Sequence, residues 1–141
     1  MKPDWIIHYV SNNGCECCGK ANNPAYYDLV GFANAHTHGL DKHGHRELCI
    51  VLDAGMNRVG NLLNTLGVKI AERETIFAES IRDDVLNNGM RVKFISFDDD
   101  PTLYVMLPDP NGILPGEDGC TVPYCLQEEY AKIISKNKDY V

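Results

Sequence analysis

The sequence lacks the long apolar and basic runs that mark membrane proteins and nucleic-acid-binding proteins. No segment of its 141 residues approaches the roughly 20 apolar residues that cross a bilayer. The apolar run from Trp5 to Tyr9 is too short for a signal peptide. Lys and Arg number 13 against 20 Asp and Glu, a formal net charge of -7, and no basic cluster is present to neutralise phosphates. We therefore expect a cytoplasmic protein that binds neither membrane nor nucleic acid.

Motifs for nucleotide binding and signs of a second domain are also missing. The 12 glycines form neither a GxGxxG fingerprint nor a phosphate-binding loop. The chain has the length of one compact domain, 44% of its residues are hydrophobic, and no repeat or linker divides it. We predict a single domain over residues 1–141.

The six cysteines are enough for three disulfides, but the absence of an export signal favours reduced thiols. Cys49 lies in an apolar run and is predicted to be buried. Cys15 and Cys18 have the Cys-x2-Cys spacing that lets two thiolates reach one zinc ion. With Cys120 and Cys125 they would form a structural zinc site if the two loops meet. The wider spacing of Cys120 and Cys125 favours unpaired surface thiols instead.

Apolar periodicity predicts an α+β fold, with a mainly antiparallel sheet packed by one central helix and a C-terminal helix. The residues at 74–86 fit helix and strand about equally well, and we assign them to a strand. The segments Arg91–Phe97 and Thr102–Leu107 should form a hairpin across an Asp-rich turn. The remaining predicted strands run from Trp5 to Val10, from Tyr27 to His36 and from Glu47 to Asp53.

The central helix is predicted from the spacing of its apolar residues. Asp53 is the expected N-cap, and Gly67 stands where a C-terminal glycine belongs. The C-terminal helix is expected over Gln127–Lys136. The apolar stripe of the central helix consists of Met56, Val59, Leu62, Leu63 and Leu66.

The segment from His36 to Glu47 holds four of the five histidines at the junction of two predicted strands. His36 and His38 are two residues apart and should point to one face of a strand. Three imidazoles, or two with Glu47, would hold zinc with an open position, where the pKa of a bound water falls. Alternatively, the histidines hydrogen-bond loop carbonyls or face solvent.

Asp109, Asn111 and Gln127 flank a late loop rich in Pro and Gly. Such side chains can orient a ligand. Turn formation accounts equally for Asp109 and Asn111, and helix capping for Gln127.

The chain combines the segment "T-x-G-L…G-H-x-E-L", from Thr37 to Leu48, with a late "P-D-x-x-G…Q", from Pro108 to Gln127. Over about Trp5 to Gln127, this combination resembles the uncharacterised bacterial family catalogued as domain of unknown function 4262. The matching positions are Thr37, Gly39, Leu40, Gly44, His45, Glu47, Asp109, Gly112 and Gln127.

The resemblance implies no established activity, cofactor or catalytic residue. By matching positions, it implies a shared site at His45, Glu47, Asp109 and Gln127. The other histidines of the junction and the early cysteines do not belong to the pattern. Some members occur in contexts of interbacterial conflict, which implies a toxin-neutralising role.

Two functions of different classes follow. The first is a domain that binds a small ligand or a metal such as zinc at the histidine junction, where His45 would accept a proton or ligate and Glu47 would assist it, with His36 and His38 nearby. The alternative is a non-enzymatic interaction protein of immunity type, whose acidic surface binds a basic protein partner. Whether the protein is an enzyme is left open by the sequence.

Overall fold

The computed structural model describes residues 3–11, 14–15, 29–86 and 88–136, which form one sheet with helices on both faces. Within these ranges there are seven strands, β1 (Ile6–Ser11), β2 (Gly14–Cys15), β3 (Phe32–His38), β4 (Leu48–Leu52), β5 (Ser80–Arg82), β6 (Val92–Ile95) and β7 (Leu103–Met106). The two α-helices are α1 (Met56–Arg73) and α2 (Gln127–Lys136), and short 3₁₀ helices occupy Leu40–His43 and Tyr124–Leu126. The predicted α+β fold is confirmed.

The strand order is β2-β1-β3-β4-β7-β6-β5. β4 and β7 pair in parallel, and the other neighbouring strands pair antiparallel. The predicted pairing of the two strands around the histidine junction is confirmed, as is the hairpin of β6 and β7. None of the helices in the described ranges is long and apolar enough to cross a membrane.

α1 buries one stripe of its surface against the sheet. Val59, Leu63, Leu66 and Ile70 recur at intervals of three or four residues and are almost fully buried. They pack with apolar side chains that alternate along β3, β4 and β7, in one core cluster. This face of the sheet is closed by α1.

Both predicted ends of the central helix were wrong. The N-cap is Gly55, and the carboxylate of Asp53 instead accepts a hydrogen bond from the Tyr9 hydroxyl. The helix runs through Gly67 to Arg73 and ends at Glu74, whose φ is 52°. Gly67 serves packing instead of termination, since a Cβ there would lie 2.5 Å from Cζ2 of Trp5.

α2 covers part of the opposite face. Tyr130, Ala131 and Ile134 pack in a second core cluster that includes Cys49 of β4, and the predicted burial of Cys49 is confirmed. The Tyr130 hydroxyl donates to the carbonyl of Val30 at 2.7 Å. This contact ties the helix to the segment that leads into β3.

The strand assignment for residues 74–86 holds only for the three residues of β5. Phe77, before β5, is buried and stacks on Phe94 with ring centres 5.0 Å apart. Val85, after β5, is buried as well. The buried apolar residues of this segment therefore lie mostly on irregular backbone. The spacing of apolar residues in the sequence does not distinguish such a segment from a strand. The predicted start of the second strand at Tyr27 lies outside the described residues.

Candidate functional site

Pairing of β1 with β3 brings three histidines together on the sheet face opposite α1. His8 lies directly across from His36 in the antiparallel register, and His38 follows two residues later. The ring centres are 5.3 Å apart for His8 and His36, 4.9 Å for His8 and His38, and 5.1 Å for His36 and His38. We call these residues the three-histidine cluster. Its geometry agrees with the prediction that His36 and His38 share a face.

His8 was missed by the sequence analysis. In β1 it alternates with Tyr9 and Ile7, as any half-buried strand residue does, and stands far from the other histidines in the sequence. Only the register of β1 against β3 places it in the cluster. The pattern of β1 shows which face His8 is on, but the sequence does not show which residue it opposes.

The cluster is accessible from solvent on one side. His8 and His36 are half-buried, and His38 is exposed. Nδ1 of His36 lies 3.1 Å from Oδ1 of the buried Asn34. An amide oxygen only accepts hydrogen bonds, so Nδ1 of His36 carries the hydrogen. In the neutral ring, Nε2 is then the nitrogen that holds the lone pair a metal requires.

The spacing of the three rings fits a shared metal ion, but their orientations do not. Three imidazoles around a tetrahedral zinc would have ring centres about 5 Å apart, given zinc–nitrogen distances of about 2.0–2.1 Å. Within the described ranges, however, no three His, Cys, Asp or Glu side chains are arranged to hold a metal ion. Rotation of imidazoles about χ2, which is a soft torsion, would be needed to aim the nitrogens at one point.

His45 does not join the cluster. Its Nδ1 donates to the carbonyl of Arg46 at 2.8 Å, and its Nε2 accepts from the backbone N–H of Phe77 at 2.9 Å. The side chain is buried, with 8% of its surface exposed. Both ring nitrogens therefore bind backbone, and proton transfer by His45 would break its hydrogen bond to Phe77.

His43 is also apart from the cluster. Its Nε2 lies 2.8 Å from Oδ1 of Asp4, and its ring meets the edge of Trp5. The hydrogen bond with His43 lowers the pKa of Asp4. This pair fixes the start of the described chain against the 3₁₀ helix Leu40–His43.

Glu47 organises the turn between β3 and β4. One carboxylate oxygen accepts from the Thr37 hydroxyl at 2.8 Å and from the N–H of Leu40 at 3.1 Å. The other accepts from the N–H groups of Gly39 at 3.2 Å and Asp41 at 3.4 Å. The three N–H groups lie at the N-cap and in the first turn of the 3₁₀ helix, where they have no intrahelical partners. Glu47 thus stabilises the backbone of the histidine junction.

Asp109 and Gln127 hold two further loops. Asp109 accepts through Oδ1 from the N–H groups of Asn111 and Ile113, and through Oδ2 from the N–H and hydroxyl of Thr121. These hydrogen bonds, the one from Ile113 foremost, lower the pKa of Asp109. Gln127 is fully buried and binds backbone groups of Leu107 and Tyr124. The proposed meeting of His45, Glu47, Asp109 and Gln127 at one site gains no support, because each binds a different stretch of backbone.

The candidate cysteine site is described only at its C-terminal half. Sγ of Cys120 donates to the carbonyl of Ile113 at 3.4 Å, and burial raises the pKa of this thiol. Cys125 is half-buried, and both cysteines are free thiols. The side chain of Cys15 and the whole of Cys18 lie outside the described residues, so the four-cysteine site stays a prediction.

The carboxylate of Glu117 should make the stability of the protein depend on pH in the acid range. A bidentate ion pair with Arg91 and an N–H from Leu114 lower the pKa of Glu117 to about 2. A lowered pKa adds stability above the ordinary value of about 4.3, and this contribution is lost as the pH falls toward 2. We expect Glu117→Gln to lower the urea midpoint at pH 7 and to make the midpoint less sensitive between pH 4 and 2. A wild-type pH profile in this variant would contradict the role of Glu117.

Comparison with known proteins gives no match to a family model, a curated protein or a solved structure. The resemblance to domain of unknown function 4262 accordingly stays a prediction.

Proposed function

We propose that the protein binds one divalent transition-metal ion, with zinc as the best fit to the ligands, at the three-histidine cluster. The observation that carries this proposal is the mutual spacing of the three rings, 4.9–5.3 Å between centres. Neutral imidazole is a ligand suited to zinc, copper and nickel. Three such ligands leave a position of a tetrahedral ion open to water or to a small ligand.

The surroundings of the cluster support this proposal. Adjacent paired strands hold the Cα atoms of His8 and His36 in fixed register, so only side-chain torsions must change when the ion binds. Asn34 would keep His36 in the tautomer that presents Nε2, as the second ligand shell of zinc sites commonly does. Exposure of His38 provides an entry path.

Binding is proposed, and hydrolysis is not. The expected base, His45, and its expected partner, Glu47, both have their polar atoms committed to other groups of the protein. Neither is therefore positioned to activate a metal-bound water. A sensing or ligand-binding metal site fits these contacts better than a catalytic one.

The test is a metal titration of untagged protein stripped with chelator. We expect one Co²⁺ or Zn²⁺ per chain, and His36→Ala should lower the affinity more than about 100-fold, since the cluster has only three ligands. His43→Ala is the matched control, because His43 is in the same junction but binds Asp4. Calorimetry gives the affinity, and the visible bands of bound Co²⁺ report tetrahedral geometry.

Further variants separate this proposal from its alternatives. Unchanged affinity in a His36→Ala/His38→Ala variant that unfolds at the wild-type urea midpoint would overturn it. Loss of metal only in Cys15→Ser/Cys18→Ser would assign the ion to a structural thiolate site. Failure of the wild type to bind either ion would also overturn it and would favour a protein partner.

A further inference from the structure

A groove of about 750 Å³ runs between α1 and the loop that follows β7, apart from the three-histidine cluster. This volume lies in the range of about 300–1,000 Å³ typical of small-molecule sites. Most of its lining is apolar, including Leu62 of α1, Met90 before β6, and Leu107 and Tyr124 beyond β7. The groove is therefore large enough, and its lining apolar enough, to bind the apolar part of a small ligand.

Most polar groups that line the groove form hydrogen bonds with other groups of the protein. Asp109 has both carboxylate oxygens bonded within its own loop. Asn88 accepts from the N–H of Met90 at 2.9 Å, and the Thr65 hydroxyl donates to the carbonyl of Asn61 at 2.8 Å. These groups shape the walls of the groove, and their hydrogen bonds leave them few contacts to offer a ligand.

Arg58 is the exception. It lines the groove from the first turn of α1, and within the described part of the chain it forms no salt bridge. Arg58 is exposed, so its guanidinium can be reached by a carboxylate of a ligand. Its planar, two-pronged donors match a carboxylate or similar anion.

The same end of α1 favours a negative charge. The N-cap Gly55 has no side chain to accept from the first N–H groups, and the first turn holds no acidic residue. Ala54, immediately before the N-cap, is part of the groove wall. The helix dipole thus adds to the field of Arg58 on this side of the groove.

We propose that the groove binds an anionic amphipathic small molecule, such as a medium-chain carboxylate. Its head group pairs with Arg58, and its apolar chain lies over Leu62, Met90 and Tyr124. Arg58 is the cationic residue of the lining, and the carboxylate of Asp109 is held by hydrogen bonds within its own loop, so pairing with Arg58 supplies selectivity and the apolar floor supplies most of the affinity. This site is independent of the proposed metal site.

The experiment uses the full chain with two defined probes, decanoate in calorimetry and anilinonaphthalene sulfonate in fluorescence. We expect one decanoate per chain, displacement of the dye by decanoate, and at least 10-fold weaker competition by decanol and decylamine. Arg58→Gln should weaken decanoate about 10-fold, the effect of losing one exposed charge-assisted contact. Arg46→Gln, an exposed arginine outside the groove, is the matched control and should bind as the wild type does.

Three results would overturn the inference. These are equal binding by Arg58→Gln and wild type, equal competition by decanol and decanoate, and amide shifts on decanoate binding that spread to exposed apolar residues outside the groove lining, such as Ile76 and Ile81. Supporting shifts would be confined to the lining of the groove, namely the first turns of α1, Met90, Tyr124 and the loop from Leu107 to Gly112. Repeating the titration with His36→Ala separates this site from the metal site, since the groove should be unaffected.

Discussion

Replacement of Gln127 by Leu should destabilise the fold by about 2–4 kcal/mol. The Gln127 side chain has no exposed surface. Its Nε2 donates to the carbonyls of Leu107 at 2.6 Å and Tyr124 at 2.9 Å, and its Oε1 accepts from the N–H of Leu107 at 2.8 Å. Leu fills a similar volume but removes the side-chain partner of the N–H and the carbonyl of Leu107, and this loss is the main cost, since the carbonyl of Tyr124 keeps the backbone N–H of residue 127.

Urea unfolding followed by circular dichroism measures this effect. The matched control is Glu129→Leu, which adds the same side chain to α2 at an exposed position. We expect it to change the free energy of unfolding by no more than about 0.5 kcal/mol. If the two variants had equal stability, Gln127 would not be the bridge between α2 and the end of β7.

Replacement of Gly67 by Ala should lower the free energy of unfolding by about 1–3 kcal/mol. A Cβ at this position would lie 2.5 Å from Cζ2 and 2.7 Å from Cε2 of Trp5. The indole has little freedom to move away, because it is 5% exposed and its Nε1 donates to Oδ1 of Asn64 at 2.9 Å. The added methyl group must therefore displace either the ring or the helix.

Gly60→Ala is the control in the same helix and should raise the free energy of unfolding instead of lowering it. A Cβ at Gly60 meets no atom within 4 Å, so only the helix preference of Ala acts. We expect a gain of about 0.5–1 kcal/mol. The chain has one tryptophan, so its fluorescence reports the packing of Trp5 in both variants. A loss of stability in both would mean that backbone effects, and not the indole, govern Gly67.

The sequence predicted the elements of the fold better than their ends. Periodicity identified α1, α2, the β6–β7 hairpin and the β3–β4 pair, because each buries a local apolar pattern. The end of α1 was misplaced because Gly67 matches a C-terminal signal, whereas the contact that explains it comes from Trp5, distant in sequence. Local rules do not include such a contact.

Polar residues of the candidate site were harder to interpret. Glu47 and His45 were taken as chemical groups because of their types and their position beside a strand. Their main contacts are to backbone groups, those of the turn for Glu47 and those of Arg46 and Phe77 for His45, and such groups need partners wherever the chain is irregular. For Asp109, the turn-forming alternative accounts for the hydrogen bonds from Asn111 and Ile113, and the other two join the turn to Thr121. The three-histidine cluster depended on His8, and therefore on a register that the sequence alone does not specify.

The parallel ladder between β4 and β7 joins two antiparallel halves of the sheet. Within each half, antiparallel strands pair with partners close in the chain. The ladder that joins the halves pairs Leu48 with Leu103, with all of α1, β5 and β6 between them in sequence. Closing so long a loop is entropically costly, so this ladder should form after the halves do and should limit the folding rate. Amide exchange during refolding would then show late protection at the N–H groups that pair β7 with β4, such as that of Leu103, and the histidines would come together before the sheet is complete.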